Sequence, residues 1–202
     1  FNSTINGIED SDFILLIGSN PRYEATILNA RIRKAYLKNK IKIISLNNVG
    51  DLTYPYESLN GDLQNIKDIV EDNHKISNLI IKAKKPMIIL GQSVFKSDSA
   101  KFIFESLKSY LLKKQKISKE WNSLNIISDN ASTVGSFDLG IYKTEDGSNE
   151  ILKALENHKF EIVYLLGQDN LKFKKENEFI IYQGSHGDRG AEIADIILPG
   201  SA

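Results

Sequence analysis

Five consecutive apolar residues, FILLI at 13–17, run into Gly18 and are followed at once by Ser-Asn-Pro. A run this short, with no polar alternation, reads as a strand buried on both faces, the pattern of parallel sheets. Asn20 suits a helix N-cap, and Pro21 suits the first helical position, where a missing N–H leaves no bond unmade. Ala25, Leu28, Ile32, Ala35 and Tyr36 then recur at spacings of three and four, which predicts one helix with an apolar stripe and with Arg31, Lys34 and Lys38 off it. The next apolar run, IKIISL at 41–46, completes a strand-loop-helix-strand unit whose two strands must be parallel and joined by a right-handed crossover. That unit is half of a Rossmann-like sheet.

Beyond it, 47–61 is rich in turn residues, and 62–83 carries helical spacing with a break near Asn73. PMIILG at 86–91 opens a second series: a helix at 99–113, a strand at 124–128, a helix at 149–158 and a strand at 162–167. Two further apolar runs lie at 179–183 and 194–198. This alternation predicts an α/β protein with mostly parallel sheets in two lobes, one over 1–75 and the other over 76–202. The basic run KKQKISK at 113–119 reads as a solvated helix end.

Composition removes several classes of function. The 26 basic and 26 acidic residues cancel, so no overall field draws the chain to nucleic acid. Cysteine is absent, which excludes disulfides, thiolate zinc and cysteine-ligated iron-sulfur clusters within these residues. No apolar run approaches the ~18 residues of a membrane helix, so direct membrane insertion is not expected and the chain reads as soluble. Phe1 at the start and LPGSA at the end suggest a piece cut from something longer.

Chemistry is sparse. Gly18, Gly91 and Gly167 each follow a predicted strand, at the edge where open parallel sheets bind ligands; each either serves a ligand or only permits a tight turn. Neither G-x-G-x-x-G nor G-x-x-x-x-G-K-[ST] occurs, nor do the hydrolase and zincin signatures. The turn at Gly18 has the outline of a phosphate loop, yet Pro21 withholds one N–H, and Arg22 and Glu24 leave its charge mixed. His74, His158 and His186 lack metal-ligand spacing. His186 sits in QGSHGDRGAEIAD, which reads as a glycine-shaped loop with local hydrogen bonds from Asp188 and Arg189, or as a loop carrying a general base. Asp195 reads as a backbone cap or as an ionising group in a site.

Taken together, IGSNPRYEATILNARIRKAYL, PMIILGQS, YLLGQDN and YQGSHGDRGAEIADIILPGSA resemble, nearly end to end, the molybdopterin-oxidoreductase-like region of the large iron-sulfur subunit of respiratory NADH:quinone oxidoreductase, complex I. The wider superfamily, which includes formate dehydrogenase and DMSO reductase, resembles the G-x-N-P turn and the strand before LP; NARIRK and QGSHGDRGA point to the complex I branch. The resemblance implies two incomplete lobes of that fold. It also implies that Gly18, Asn20, Gly91, Gly167 and Asn170 match loops lining a molybdopterin guanine dinucleotide groove, vestigial in this branch. No cofactor is expected in these residues, while 2Fe-2S and 4Fe-4S clusters are expected elsewhere in the full-length subunit. The expected partners are other peripheral-arm subunits, on the cytoplasmic side of a bacterial inner membrane or on the mitochondrial matrix side, with the composition leaning to a bacterium. The implied role is a scaffold without catalytic residues; the alternative is a molybdopterin-dependent oxidoreductase that still binds its cofactor. AKKPMIILGQS alone resembles the central domain of thiamine-diphosphate enzymes, and a Rossmann dehydrogenase lacks its glycine fingerprint.

Overall fold

The computed structural model describes residues 3–128, 130, 132–140, 147–170 and 174–201. The chain divides into two compact units, Phe1–Ala131 and Ser132–Ala202.

In the first unit, β1 (Phe13–Ile17), β2 (Lys42–Leu46), β3 (Glu57–Leu59), β4 (Pro86–Leu90) and β5 (Leu124–Ile126) form one sheet in the order β3-β2-β1-β4-β5. All of its pairings are parallel. β1 and β4 are buried at every position, as their unbroken apolar runs require. Leu15, Ile17, Ile44, Ile88 and Leu90 face one layer, made by α3 (Leu63–Val70), α4 (Lys75–Lys82) and α6 (Ala100–Lys113). The alternate residues Ile14, Leu16, Ile43, Met87 and Ile89 face α2 (Thr26–Asn39) through Leu28, Ile32 and Ala35. Each fully buried aliphatic side chain contributes roughly 1.5–3 kcal/mol of transfer free energy, so this double layer dominates the stability of the unit.

The boundary expected near residue 75 is not where the chain divides. β4 pairs with β1 over its whole length, Phe13 opposite Pro86 through Ile17 opposite Leu90. The break near Asn73 is only the turn between α3 and α4, held by Asp72, which accepts from Tyr110 Oη at 2.9 Å and Lys114 Nζ at 2.6 Å. Lys116 donates to the carbonyls of Ile81 and Ala83, at 2.9 and 2.6 Å, near the end of α4. Two lysines of the basic run therefore hold helices in place rather than only meeting water.

The single helix expected after Gly18 is two: α1 (Pro21–Glu24) and α2, separated at Ala25, whose φ of −153° and ψ of 72° are not helical. Asn20 makes no side-chain cap; its amide donates instead to the Val49 carbonyl at 2.9 Å. α5 (Gln92–Phe95) is a single turn after β4.

The second unit contains α7 (Thr133–Asp138), α8 (Gly147–Glu156), β6 (Ile162–Leu166), β7 (Phe179–Gly184), α9 (Arg189–Ile193) and β8 (Ile196–Pro199). β7 lies between β6 and β8 in a three-stranded parallel sheet. Its small core joins Leu155, Leu165, Ile180 and Tyr182, with Ala191 and Ile193 packed against them. Ile162, Tyr164, Leu166, Phe179 and Ile196 on the opposite face of the sheet stay exposed.

Candidate functional site

The strand order of the first unit reverses between β1 and β4, and at such a switch point the carboxyl ends of the strands open the crevice that ligands use. Gly18 follows β1 with a φ of +57°, a left-handed conformation that glycine adopts without strain. Gly91 follows β4 for a different reason: a Cβ there would lie 2.1 Å from the Gly18 carbonyl oxygen and 2.6 Å from Ser19 Cα. The Gly91 N–H donates to the Ile17 carbonyl at 2.9 Å, and Ser93 Oγ donates to the Gly18 carbonyl at 2.6 Å. The two turns are thus pressed together backbone to backbone, across the place where a crevice would open.

The Asn20 turn is also filled from within. Its backbone N–H donates to Glu24 Oε1 at 2.9 Å, and Ser19 Oγ donates to Glu24 Oε2 at 3.1 Å. A carboxylate at this position takes the donors that would meet a phosphate oxygen. Arg22 turns away to Asp51 at 2.7 Å; the Thr53 N–H and then this guanidinium hold the Asp51 carboxyl below its usual range. The Asn20 side-chain oxygen is buried without a partner.

Beside the turn, Ile17, Gly18, Leu46, Asn47, Ser93 and Ser97 help to line a cleft of about 250 Å³, continuous at Asn47 and Gly61 with a shallower depression bordered by Asn60, Asp62 and His74. Among the described residues neither is lined by lysine or arginine. His74 is committed: its Nδ1 accepts the Ile76 N–H at 3.2 Å and caps α4. A molybdopterin guanine dinucleotide, which the resemblance implies for this edge, carries a pyrophosphate that needs free N–H donors and a cation. The residues at the β1 turn do not fit it, because the donors are bonded to Glu24, the crevice is closed by Gly91, and no lysine or arginine lines the cleft among the described residues.

Gly18, Asn20 and Gly91 therefore meet at one sheet edge of the first unit. Gly167 and Asn170 follow β6 in the second. Gly167 has a φ of +61° with nothing within 4 Å of an added Cβ, so conformation alone asks for glycine there. Asn170 is exposed. The bonds in that loop come from its neighbour Asp169, whose side chain accepts from the Gly190 N–H at 3.2 Å and from Tyr182 Oη at 3.3 Å.

Tyr182, which sequence reading did not single out, explains two of the three glycines of QGSHGDRGA. A Cβ on Gly184 would lie 2.1 Å from Tyr182 Oη, and one on Gly190 would lie 2.5 Å from its ring. The loop is shaped as expected, but Tyr182 and Asp169 shape it. Among the described residues Asp188 and Arg189 contribute no side-chain bond to it, while the Asp188 carbonyl accepts from the Ala191 and Glu192 N–H groups. His186 is exposed, and its Nδ1 lies 2.9 Å from Ser185 Oγ. Asp195 caps a strand: its Oδ2 accepts the Ile180 N–H at 2.8 Å, and its Oδ1 pairs with Lys175 at 2.6 Å.

Glu178, buried just before β7, was equally silent in the sequence. It accepts the Glu176 N–H at 2.8 Å and lies 2.6 Å from His158 Nδ1. Backbone N–H groups, aided by His158, hold its carboxyl at about 2 against an ordinary 4.5. A carboxyl depressed on folding stabilises fully above its unfolded value, and that contribution is lost as pH falls from about 4.5 towards 2. Acid titration of wild type against Glu178→Gln, followed by tyrosine fluorescence of the second unit, is expected to show a shallower acid limb in the variant. Identical acid limbs would refute the assignment.

Among the described residues, no group of three His, Asp or Glu side chains forms a metal site, and no helix is long and apolar enough to cross a membrane.

Comparison with known proteins agrees with this architecture. The chain is 42% identical, over its whole length, to the NADH-ubiquinone oxidoreductase 75 kDa subunit of Reclinomonas americana, of which it covers 29%. It is 38% identical to the mitochondrial 78 kDa subunit of Candida albicans, covering 27%, and 36% identical to the mitochondrial NADH dehydrogenase (ubiquinone) iron-sulfur protein 1 of Solanum tuberosum, covering 26%. The chain thus spans less than a third of the length of each of these relatives. The molybdopterin oxidoreductase profile matches residues 1–202, so that, with two parallel-sheet units and glycine turns at the strand ends, the chain belongs to the molybdopterin oxidoreductase family.

Proposed function

We propose that this chain is a scaffold region of the large iron-sulfur subunit of an NADH-ubiquinone oxidoreductase. Electrons pass from NADH towards quinone through 2Fe-2S and 4Fe-4S clusters held elsewhere in the polypeptide. The observation that carries this reading is the self-filled turn at β1: Glu24 takes the donors of Ser19 and Asn20, while Gly91 and Ser93 seal the neighbouring crevice. In this reading Gly18, Asn20, Gly91, Gly167 and Asn170 keep the outline of a groove without its ligand. The partners are other peripheral-arm subunits. The mitochondrial names of two relatives favour the matrix side of the inner membrane over the cytoplasmic face of a bacterial one.

A molybdopterin-dependent oxidoreductase is the second reading, favoured by the 250 Å³ cleft and by the unpartnered Asn20 oxygen beside it. Calorimetry separates the two. With a guanine dinucleotide at millimolar concentration the wild-type chain is expected to give no binding heat, and elemental analysis of the purified protein no molybdenum. Glu24→Gln removes the internal charge and is expected to admit at most weak anion binding. A saturable wild-type isotherm or stoichiometric molybdenum would sink the scaffold reading.

A further inference from the structure

α2 turns Leu28, Ile32 and Ala35 to the sheet, and its 3.6-residue period sets Ile27, Arg33, Lys34, Leu37 and Lys38 on the opposite half. Ile27 is 69% exposed and Leu37 57%, and Tyr23, in α1 just ahead of them, is 80% exposed. Single exposed aliphatics are ordinary on a protein surface. Here two large aliphatic side chains fall on one helix whose charge is of a single sign, with Tyr23 and Glu24 just ahead of it.

From Thr26 to Lys40 the chain carries Arg31, Arg33, Lys34, Lys38 and Lys40 and no acidic residue, although the chain as a whole has no net charge. Arg31 and Lys34 are held by Glu9, and Lys40 sits 5.0 Å from the centre of the Tyr36 ring. Arg33 and Lys38 have no ion pair among the described residues. Two cations without carboxylates, interspersed with apolar side chains left in water, make a mixed apolar and basic surface.

We infer that this side of α2, together with Tyr23, docks a neighbouring protein subunit that presents an apolar patch edged with carboxylates. The inference rests on the assembly reading above. A membrane surface suits it less, since interfacial helices bury a continuous apolar face, and here two aliphatics and one tyrosine stand apart among cations. Carboxylates opposite Arg33 and Lys38 would set orientation and speed encounter, while Ile27 and Leu37 would supply the buried area.

The test uses the full-length subunit in the assembled complex. Two double variants, Arg33→Glu with Lys38→Glu and Ile27→Ser with Leu37→Ser, change only exposed positions, so circular dichroism and thermal melting are expected to match wild type. Each is expected to reduce the subunit retained in the complex on native gels by roughly tenfold, the loss typical of disrupting one anchor at an interface. A photo-crosslinker at Leu37 is expected to join an acidic stretch of another subunit. Undiminished retention of both variants overturns the inference, as does a crosslink within the same polypeptide. Retention that holds while binding to phosphatidylserine vesicles is lost overturns it in favour of a lipid surface. A wild-type subunit that fails to co-purify with the complex sinks the assembly reading and this inference together, whereas wild type and variants retained alike sink the inference alone.

Discussion

Gly91→Ala is expected to be among the most damaging single-methyl substitutions in the first unit. The added Cβ would lie 2.1 Å from the Gly18 carbonyl oxygen and 2.6 Å from Ser19 Cα, and both are backbone atoms that no rotamer change can move aside. Relief requires the β4 turn to back away from the β1 turn, which stretches the bond from the Gly91 N–H to the Ile17 carbonyl and the bond from Ser93 Oγ to the Gly18 carbonyl. Overpacking of this kind costs about 1–3 kcal/mol, and loosening these two hydrogen bonds adds to it. At roughly 2–8 °C per kcal/mol, the melting temperature is expected to fall by about 10 °C or more. Gly167→Ala is the control: its φ of +61° is unfavourable for alanine, but nothing lies near the new methyl. It is expected to cost only about 1–2 kcal/mol. Equal losses for the two variants in thermal melting would show that Gly91 is a conformational glycine like Gly167, and that the closed crevice is not what selects it.

Tyr182→Ala is expected to unfold the second unit. Among the described residues of that unit the core cluster has four buried apolar side chains, and Tyr182, at 1% exposure, is the largest of them. Replacing a buried aromatic by alanine costs about 3–5 kcal/mol, comparable to the whole stability of a small unit. The ring also holds the loop in place: Gly184 and Gly190 close on it, and its hydroxyl donates to Asp169. Tyr182→Phe keeps the ring and drops one hydrogen bond, so it is expected to lose only about 1 kcal/mol. Amide exchange in β7 reads the difference: protection lost in Tyr182→Ala and kept in Tyr182→Phe. Full protection in the alanine variant would mean that the loop is held by something other than the ring.

The family signature takes on a physical content from these contacts. In NARIRK, Asn29 is buried, donating to the Leu52 carbonyl at 3.0 Å and accepting from Tyr54 Oη at 2.8 Å. Arg31 pairs with Glu9 and so fastens α2 to the short helical turn at Asn6–Asp10. The identifying residues thus secure a packed layer, in keeping with a scaffold.

Much of the fold was legible because a short apolar run can be solved in few ways. FILLI, IKIISL and PMIILG alternate with stretches of helical period, and parallel strands with right-handed crossovers follow from that alternation alone. Periodicity also located α3, α4 and α6 and the turn between the first two. It misjudged the unit boundary because pairing between distant strands leaves no local mark: nothing near residue 75 reports that Pro86 lies beside Phe13. It missed the break at Ala25, where alanine is a good helix former and only the tertiary pull of Asn20 on Val49 and Arg22 on Asp51 ends α1.

The candidate site shows the same division. The sequence determined that Gly18, Gly91 and Gly167 stand at strand ends, since an apolar run that stops at glycine marks a turn. It left open whether each glycine meets a ligand, relieves backbone strain or lets two chains touch, because those depend on what lies opposite. Only the tertiary structure decided that Gly91 is pressed against the Gly18 carbonyl, that Glu24 fills the turn at Asn20, and that Tyr182 and Glu178 organise the second unit. The physical reason is that a turn is set by local dihedral freedom, whereas the occupant of a crevice is set by contacts between segments tens of residues apart.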